Sequence, residues 1–312
     1  MWSYTGRRLL QGVVLLFAVS VLVFLMIHMM PGDPIDQITH WKATEERKDE
    51  LRRLHGFDQP VHIQYLNWAS KALSGDFGVS LRTKLPVGEQ MQLRLPITLK
   101  LTGWMLLIEM LISVPLGLLC AYKKDSIFDR LVVNISLFFT AIPSFWIAVL
   151  LILFFGVYLK WLPVSGYESA RHMILPIATG VLGSFASTVR MTKSEVLDVI
   201  REKYVITAYA KGLSRTAVLV KHVMRNALIL ITVMVSLSIP WLLSGAVIIE
   251  HIFGIPGMGG LLVNSIVVQD FPFVQACVLA ISALTVVFNI LCDLLLGVLD
   301  PRISLALKGG ER

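Results

Sequence analysis

Six stretches of this 312-residue chain are long and apolar enough to cross a lipid bilayer as helices. At about 1.5 Å of rise per residue, about 20 apolar residues match roughly 30 Å of hydrocarbon. The stretches run approximately from Leu9 to Met30, Pro96 to Ala121, Leu131 to Leu159, Met173 to Met191, Ala227 to Ile249 and Phe273 to Leu299. Lipid offers the backbone no hydrogen-bond partners, so only helices and closed barrels span it. Alternating strands of about ten residues, the barrel signature, are absent. Composition agrees: 55% of residues are apolar and 16% charged, against about 45–50% and about 25% in soluble domains. That excludes a disordered chain, a disulfide scaffold and an ordinary cytosolic enzyme. Cys120, Cys277 and Cys292 each sit alone in apolar sequence, so no disulfide framework is expected. The net charge of +7 fits lysine and arginine held at a cytoplasmic membrane face better than nucleic-acid binding.

Charge sets the expected orientation. Two basic residues precede the first stretch, three lie at Lys123, Lys124 and Arg130, eight fall between Arg190 and Arg225, and three follow Pro301. The alternate short loops hold only Lys160 and Arg171 in one, and none between His251 and Pro272 in the other. The basic loops belong inside, which places both termini in the cytoplasm. The first stretch follows Arg7 and Arg8, exceeds a signal-peptide core and lacks a small-residue cleavage site, so it reads as a retained signal anchor. Residues 31–95 then fall outside despite nine basic residues, because long loops translocate largely regardless of charge. They read as an external helical cap. Thr44 can cap a helix that begins with Glu45 and Glu46 and ends at Gly56. A second helix from Val61 to Leu73 groups Ile63, Leu66 and Trp68, followed by turn signals at Gly75, Gly78, Pro86 and Gly88.

The segment from Ser194 to Asn226 is too polar to span. Val196, Leu197, Val199 and Ile200 form a helical stripe that Val205 continues. Ala208 and Ala210 are small enough for a partner surface to come close. Gly212 suits the left-handed position after a helix, and Ser214 is a good N-cap for the next one. The expected result is helix, tight turn, helix: a basic knob below the membrane. Charge and periodicity alone fit equally well an amphipathic helix lying in the lipid headgroups.

The order of residues distinguishes the two. The run TAYAKGLSRTAVLVKHVMRNAL resembles the EAA-type loop of permease subunits in binding-protein-dependent ABC importers, above all the dipeptide, oligopeptide and nickel group. The blocks RRLLQGVVLLF, MMPGDP, GFDQPVHIQYLNW, GDFGVS, LPITLKLT, IPSFWIA, LPVSGY, HMILP, IEHIFGIPGMGGLLVNSI, DFPFVQA and LDPRI resemble that group's blocks, in its order, over almost the whole chain. Tyr209 departs from the pattern, since relatives often carry arginine there.

The resemblance implies a type I ABC importer permease fold: an all-α, six-helix, multi-pass protein of the bacterial plasma membrane forming one permease domain over residues 1–312. It implies that Thr207, Ala208, Ala210, Lys211, Gly212, Leu213, Ser214, His222, Arg225 and Asn226 form the loop that docks on a cytoplasmic ATPase. It further implies a second related permease, two ABC ATPases that bind ATP and magnesium, and an extracytoplasmic solute-binding protein. Substrate would be a peptide, nickel or a metal chelate. The external cap and the turn carrying Phe253, Pro256, Gly257 and Asp270 are natural surfaces for the binding protein. The alternative is that they only seal the outer mouth.

No P-loop motif occurs, nor H-E-x-x-H or G-x-S-x-G. The chain is therefore expected to bind no cofactor and catalyse no reaction, its energy coming from a partner. Gly257, Gly259 and Gly260 follow Pro256 with no preceding strand and read as an external turn rather than a dinucleotide site.

A few polar residues interrupt the apolar stretches. Glu109 lies about 13 residues into the second, where an uncompensated charge costs about 2.5–3.5 kcal/mol. It lines a translocation path, or it is a hydrogen-bonded structural glutamate; the sequence weighs these equally. Asn289 and Asp293 share a helical face, and interhelical bonding is the preferred reading. Glu250 and His251 could suggest a metal site, but adjacent helical residues diverge and no third ligand is fixed. A polar helix end is preferred, and His28 reads as an interfacial residue. Pro143 and Pro240 lie within spans and can kink them, either statically or as part of a gate. Two other function classes remain: a self-sufficient secondary carrier or channel, and a membrane-tethered scaffold.

Overall fold

The computed structural model describes residues 2–29, 35, 44–218 and 223–299, with backbone only at 2–4, 55, 215–216, 225–237 and 296–299. Among the described residues the regular structure is helical, apart from one antiparallel bridge between Val79 and Pro86. We number the α-helices in chain order. α1 is Trp2–Met29, α2 Glu45–His55, α3 Val61–Leu73, α4 Val87–Tyr122, α5 Ile127–Ala141 and α6 Ser144–Leu151. A π-helical segment, Ile152–Tyr158, continues α6. Then come α7 Arg171–Ile200, α8 Lys203–Ala210, α9 Arg215–Val218, α10 Met224–Ile252, α11 Met258–Val267 and α12 Phe271–Leu299.

Among the described residues, four helices, α1, α4, α7 and α12, are long and apolar enough to cross a bilayer singly. The expected third span, from Leu131 to Leu159, is not one helix. It breaks into α5 and α6 with a bend of 101°. Pro143 has no N–H to donate and drives the residue before it out of helical geometry. Ile142 (φ −97°, ψ 124°) and Pro143 (φ −56°, ψ 141°) are both extended as a result. Pro240, by contrast, is carried inside α10. The expected fifth span, from Ala227 to Ile249, coincides with α10. Its backbone is helical throughout, and its side chains are described without interruption from Ser238 on, as an apolar stretch Ser238–Ile252. The expected start of the second span at Pro96 is also revised. α4 begins at Val87 and carries Pro96 and Pro115 within its 36 residues, roughly 54 Å of helix.

The centre of the molecule is the packing of α4 against α7, its most extensive helix pair. Small residues let helix backbones approach in lipid, where apolar burial gives no net drive. Gly117 of α4 is such a point: a Cβ there would lie 2.6 Å from Thr192 Cβ and 2.8 Å from the Val189 carbonyl oxygen. At the periphery, Arg8 of α1 pairs with Asp293 of α12 at 3.2 Å, the interhelical role preferred for that aspartate.

The cap helices end where expected. Gly56 (φ 72°) closes α2, and the Phe57 N–H bonds to Arg52 O at 2.8 Å. Thr44 starts α2 through its carbonyl, which accepts from Lys48 N at 3.0 Å, and its hydroxyl makes no capping bond. The packed face of α3 is Gln64, Tyr65 and Trp68, with Ile63 and Leu66 exposed. Phe24 of α1 explains the shift. Its ring lies 5.4 Å from that of Tyr65 and 5.7 Å from that of Trp68. His28 adds a 3.1 Å bond from Nε2 to Gln64 Oε1.

Candidate functional site

α7 continues past its apolar portion to Ile200, turns at Arg201 and Glu202, and leads into α8. The stripe of Val196 and Val199 meets Val205 and Ala208 of α8 in one cluster with Val114 and Ala121 of α4. Burial of that cluster fixes α8 to the two central helices. Ala208 therefore faces its own chain. Its small side chain serves the close seating of α8 on α7.

The rest of α8 is exposed and mixed in character, with Lys203 among its exposed residues. Tyr204 (41% exposed), Ile206 (59%), Tyr209 (41%) and Leu213 (41%) look outward, with Thr207, Ala210 and Lys211 also exposed. The end of α8 is closed by a Schellman motif. Gly212 N–H bonds to Tyr209 O at 2.9 Å and Leu213 N–H to Ala208 O at 3.4 Å. The motif needs a left-handed residue, and Gly212 has φ 79°. Ser214 Oγ then accepts from Ala217 N at 3.3 Å and caps α9, and Val218 and Val223 return to the same buried cluster. His222 lies outside the described residues, and Arg225 and Asn226 are described in backbone only.

A second joint fastens this region, one the sequence reading did not single out. Asp129, buried at the start of α5, receives Lys193 Nζ of α7 at 2.6 and 2.9 Å. Its Oδ2 accepts from Asp125 N at 2.9 Å, while Ser126 Oγ accepts from Asp129 N at 3.2 Å. Ser126 is thus the N-cap of α5 while Asp129 reaches back to the residue before it, a variant of the capping box, and Ser126 followed three residues later by an acidic residue was the available signal.

Glu109 is enclosed between α4 and α7, where Thr188 Oγ1 donates to its Oε1 at 2.6 Å. It faces protein rather than lipid, as an acidic residue at that depth must.

Of the four residues expected at the outer surface, only Pro256 is exposed. Phe253 packs with Leu101, Met105 and Leu175. Gly257 is enclosed against Glu250. Asp270 is buried where it receives the Leu81 N–H at 3.1 Å and the Ser80 hydroxyl. These three hold the turn that follows α10 and tie the loop before α4 to the start of α12, and all three are buried. Glu250 is no surface helix end either: it is buried, and its Oε2 accepts from Gly259 N at 2.7 Å and Gly260 N at 3.2 Å. Among the described residues, no group of three or more His, Cys, Asp or Glu side chains could hold a metal ion.

The family model for the inner membrane component of binding-protein-dependent transport systems matches residues 113–305. The model for the N-terminal part of such membrane components matches residues 1–102. The glutathione transport system permease protein GsiC of Escherichia coli (strain K12) is 37% identical over 303 residues, covering 97% of this chain and 99% of that protein. The probable peptide ABC transporter permease protein y4tP of Sinorhizobium fredii (strain NBRC 101917 / NGR234) is 34% identical over 311 residues, with 97% and 99% covered. With both family models matching and relatives aligned end to end, a helical multi-pass chain with a knob of this form belongs to the ABC importer permeases, the inner membrane components of binding-protein-dependent transport systems.

Proposed function

We propose that the chain forms half of the translocation pathway of an ATP-driven importer that carries peptides inward, paired with a second related permease. Two partner ATPases supply the energy, and a solute-binding protein delivers substrate from outside. Both termini lie in the cytoplasm in this reading. The observation that carries it is the two-sided form of α8. One side is buried in the α4–α7 core, and the other presents Tyr204, Ile206, Tyr209 and Leu213 to a partner. A short helix locked by a capped turn transmits displacement, which a loose loop cannot. Exposed Ile206 and Leu213 beside Lys203 and Lys211 suit a protein groove, and closure of two ATPases on ATP would push the helix and tilt α4 and α7.

The peptide assignment rests on the relatives, named for glutathione and for peptide transport. Nickel or a metal chelate is the second substrate reading, from the resemblance of the sequence blocks. The test is reconstitution. The chain alone should show neither ATP hydrolysis nor uptake, and adding the partner permease, ATPases and binding protein should produce both. Uptake by the chain alone would favour a self-sufficient carrier. Titrating the binding protein with peptides, glutathione and nickel, free and chelated, assigns the substrate.

A further inference from the structure

The outer face holds a second built arrangement, remote from the knob. α11 has ten residues, too few to span. It is reached through a tight turn in which Ile255 N bonds to Glu250 O at 2.9 Å. The first N–H groups of a helix have no acceptor within it, and the N-cap position of α11 is Gly257, which has no side chain to offer. The acceptors come from other helices. Met258 N–H donates to Thr98 Oγ1 of α4 at 2.9 Å. Gly259 and Gly260 N–H both donate to one carboxylate oxygen of Glu250, from the last turns of α10. The fit leaves no slack, since a Cβ at Gly257 would lie 2.3 Å from the Glu250 carboxyl carbon.

We propose that Glu250 is a positioning residue of the outer gate: its carboxylate pins the start of α11 to α10, so that the two move as one body when the outer mouth opens. The proposal rests on the transport reading for its meaning, but the pin can be tested apart from it.

In the assembled transporter, with uptake expressed per assembled complex, Glu250→Ala should lower uptake at least tenfold. Glu250→Gln, whose amide oxygen can accept both N–H groups, should stay within about threefold of the parent. Gly257→Ala should fall about as far as Glu250→Ala, because the new methyl displaces the carboxylate. In a Glu250→Ala background it should add less than twofold, because the clash is gone. A second readout needs no substrate. Leu261 of α11 is buried, and a Leu261→Cys reporter should resist a membrane-impermeant maleimide without ATP in the parent and react in the Glu250→Ala chain. If Glu250→Ala does not assemble, the same labelling on Gly257→Ala decides. Normal uptake by Glu250→Ala, equal protection of the reporter in both chains, or independent multiplying effects of the two substitutions would overturn the pin. A parent complex that imports nothing would defeat the transport reading and leave the labelling result standing.

Discussion

Lys193 of α7 places its ammonium 2.6 and 2.9 Å from the two carboxylate oxygens of Asp129, at the first turn of α5. The pair joins two helices beside the knob, and Asp129 also holds the turn at Asp125 that leads into α5. Removing one partner of a buried pair leaves a charge without compensation, which typically costs about 3–5 kcal/mol. Lys193 is 22% exposed, so solvent screening should bring the loss nearer 2 kcal/mol. Lys193→Met should therefore lower the unfolding midpoint of the purified permease complex by several degrees. Asp129→Asn should cost less, because its amide oxygen still accepts the Asp125 N–H. A thermal melt followed by tryptophan fluorescence checks both; equal midpoints in all three chains would count against the joint.

Gly212→Pro should uncouple hydrolysis from transport. Proline fixes φ near −65° and removes the N–H, whereas Gly212 has φ 79° and donates to Tyr209 O. The Schellman closure of α8 is lost, while the spans are untouched. Membrane levels should stay near those of the parent, and uptake per ATP hydrolysed should fall at least tenfold. Gly212→Ala, which meets no neighbour within 4 Å, should lose only about 1–2 kcal/mol through its left-handed backbone.

The two sides of α8 should respond differently. Ile206→Asp changes the outward side and should weaken retention of the ATPase during purification without reducing membrane insertion. Ala208→Phe should overfill the buried cluster with Val196 and Val199, a change that typically costs about 1–3 kcal/mol, and should lower complex stability first. Thermal midpoint and ATPase co-purification, measured on both variants, separate the two roles.

Glu109 and Thr188 should behave as one unit. Interhelical hydrogen bonds in membranes average about 0.6 kcal/mol, so Glu109→Ala and Thr188→Val should each have modest effects on stability and should not add. Glu109→Gln keeps an acceptor for the hydroxyl and should resemble the parent. A large change in uptake by Glu109→Ala, with stability unaltered, would return this residue to the translocation path.

The membrane character and the knob were legible in the sequence because both depend on local rules. Apolar runs mark spans, and the spacing of Ala210, Gly212 and Ser214 marks a closed helix followed by a capped one. The break at Ile142 and Pro143 was visible only as a proline; how far a helix bends there is settled by neighbours rather than by the residue. The burial of Ala208 depends on which face of α8 meets α7, and the periodicity of eight residues is too short to decide it. Glu250 looked like a polar helix end because sequence spacing does not reveal that the chain turns back and brings Gly259 and Gly260 onto its carboxylate. The burial of Asp270 is hidden from the sequence for the same reason: its partners Ser80 and Leu81 lie far away in the chain.

The central claim is that this permease is moved from below by a motor carried on other chains. Site-specific cross-linking from Ile206→Cys, on the uncovered side of α8, tests it directly in the intact transporter. The account predicts capture of a nucleotide-hydrolysing subunit, with a yield that changes when ATP is added. Efficient solute uptake with no such subunit captured, from this position or from Leu213→Cys, would contradict it.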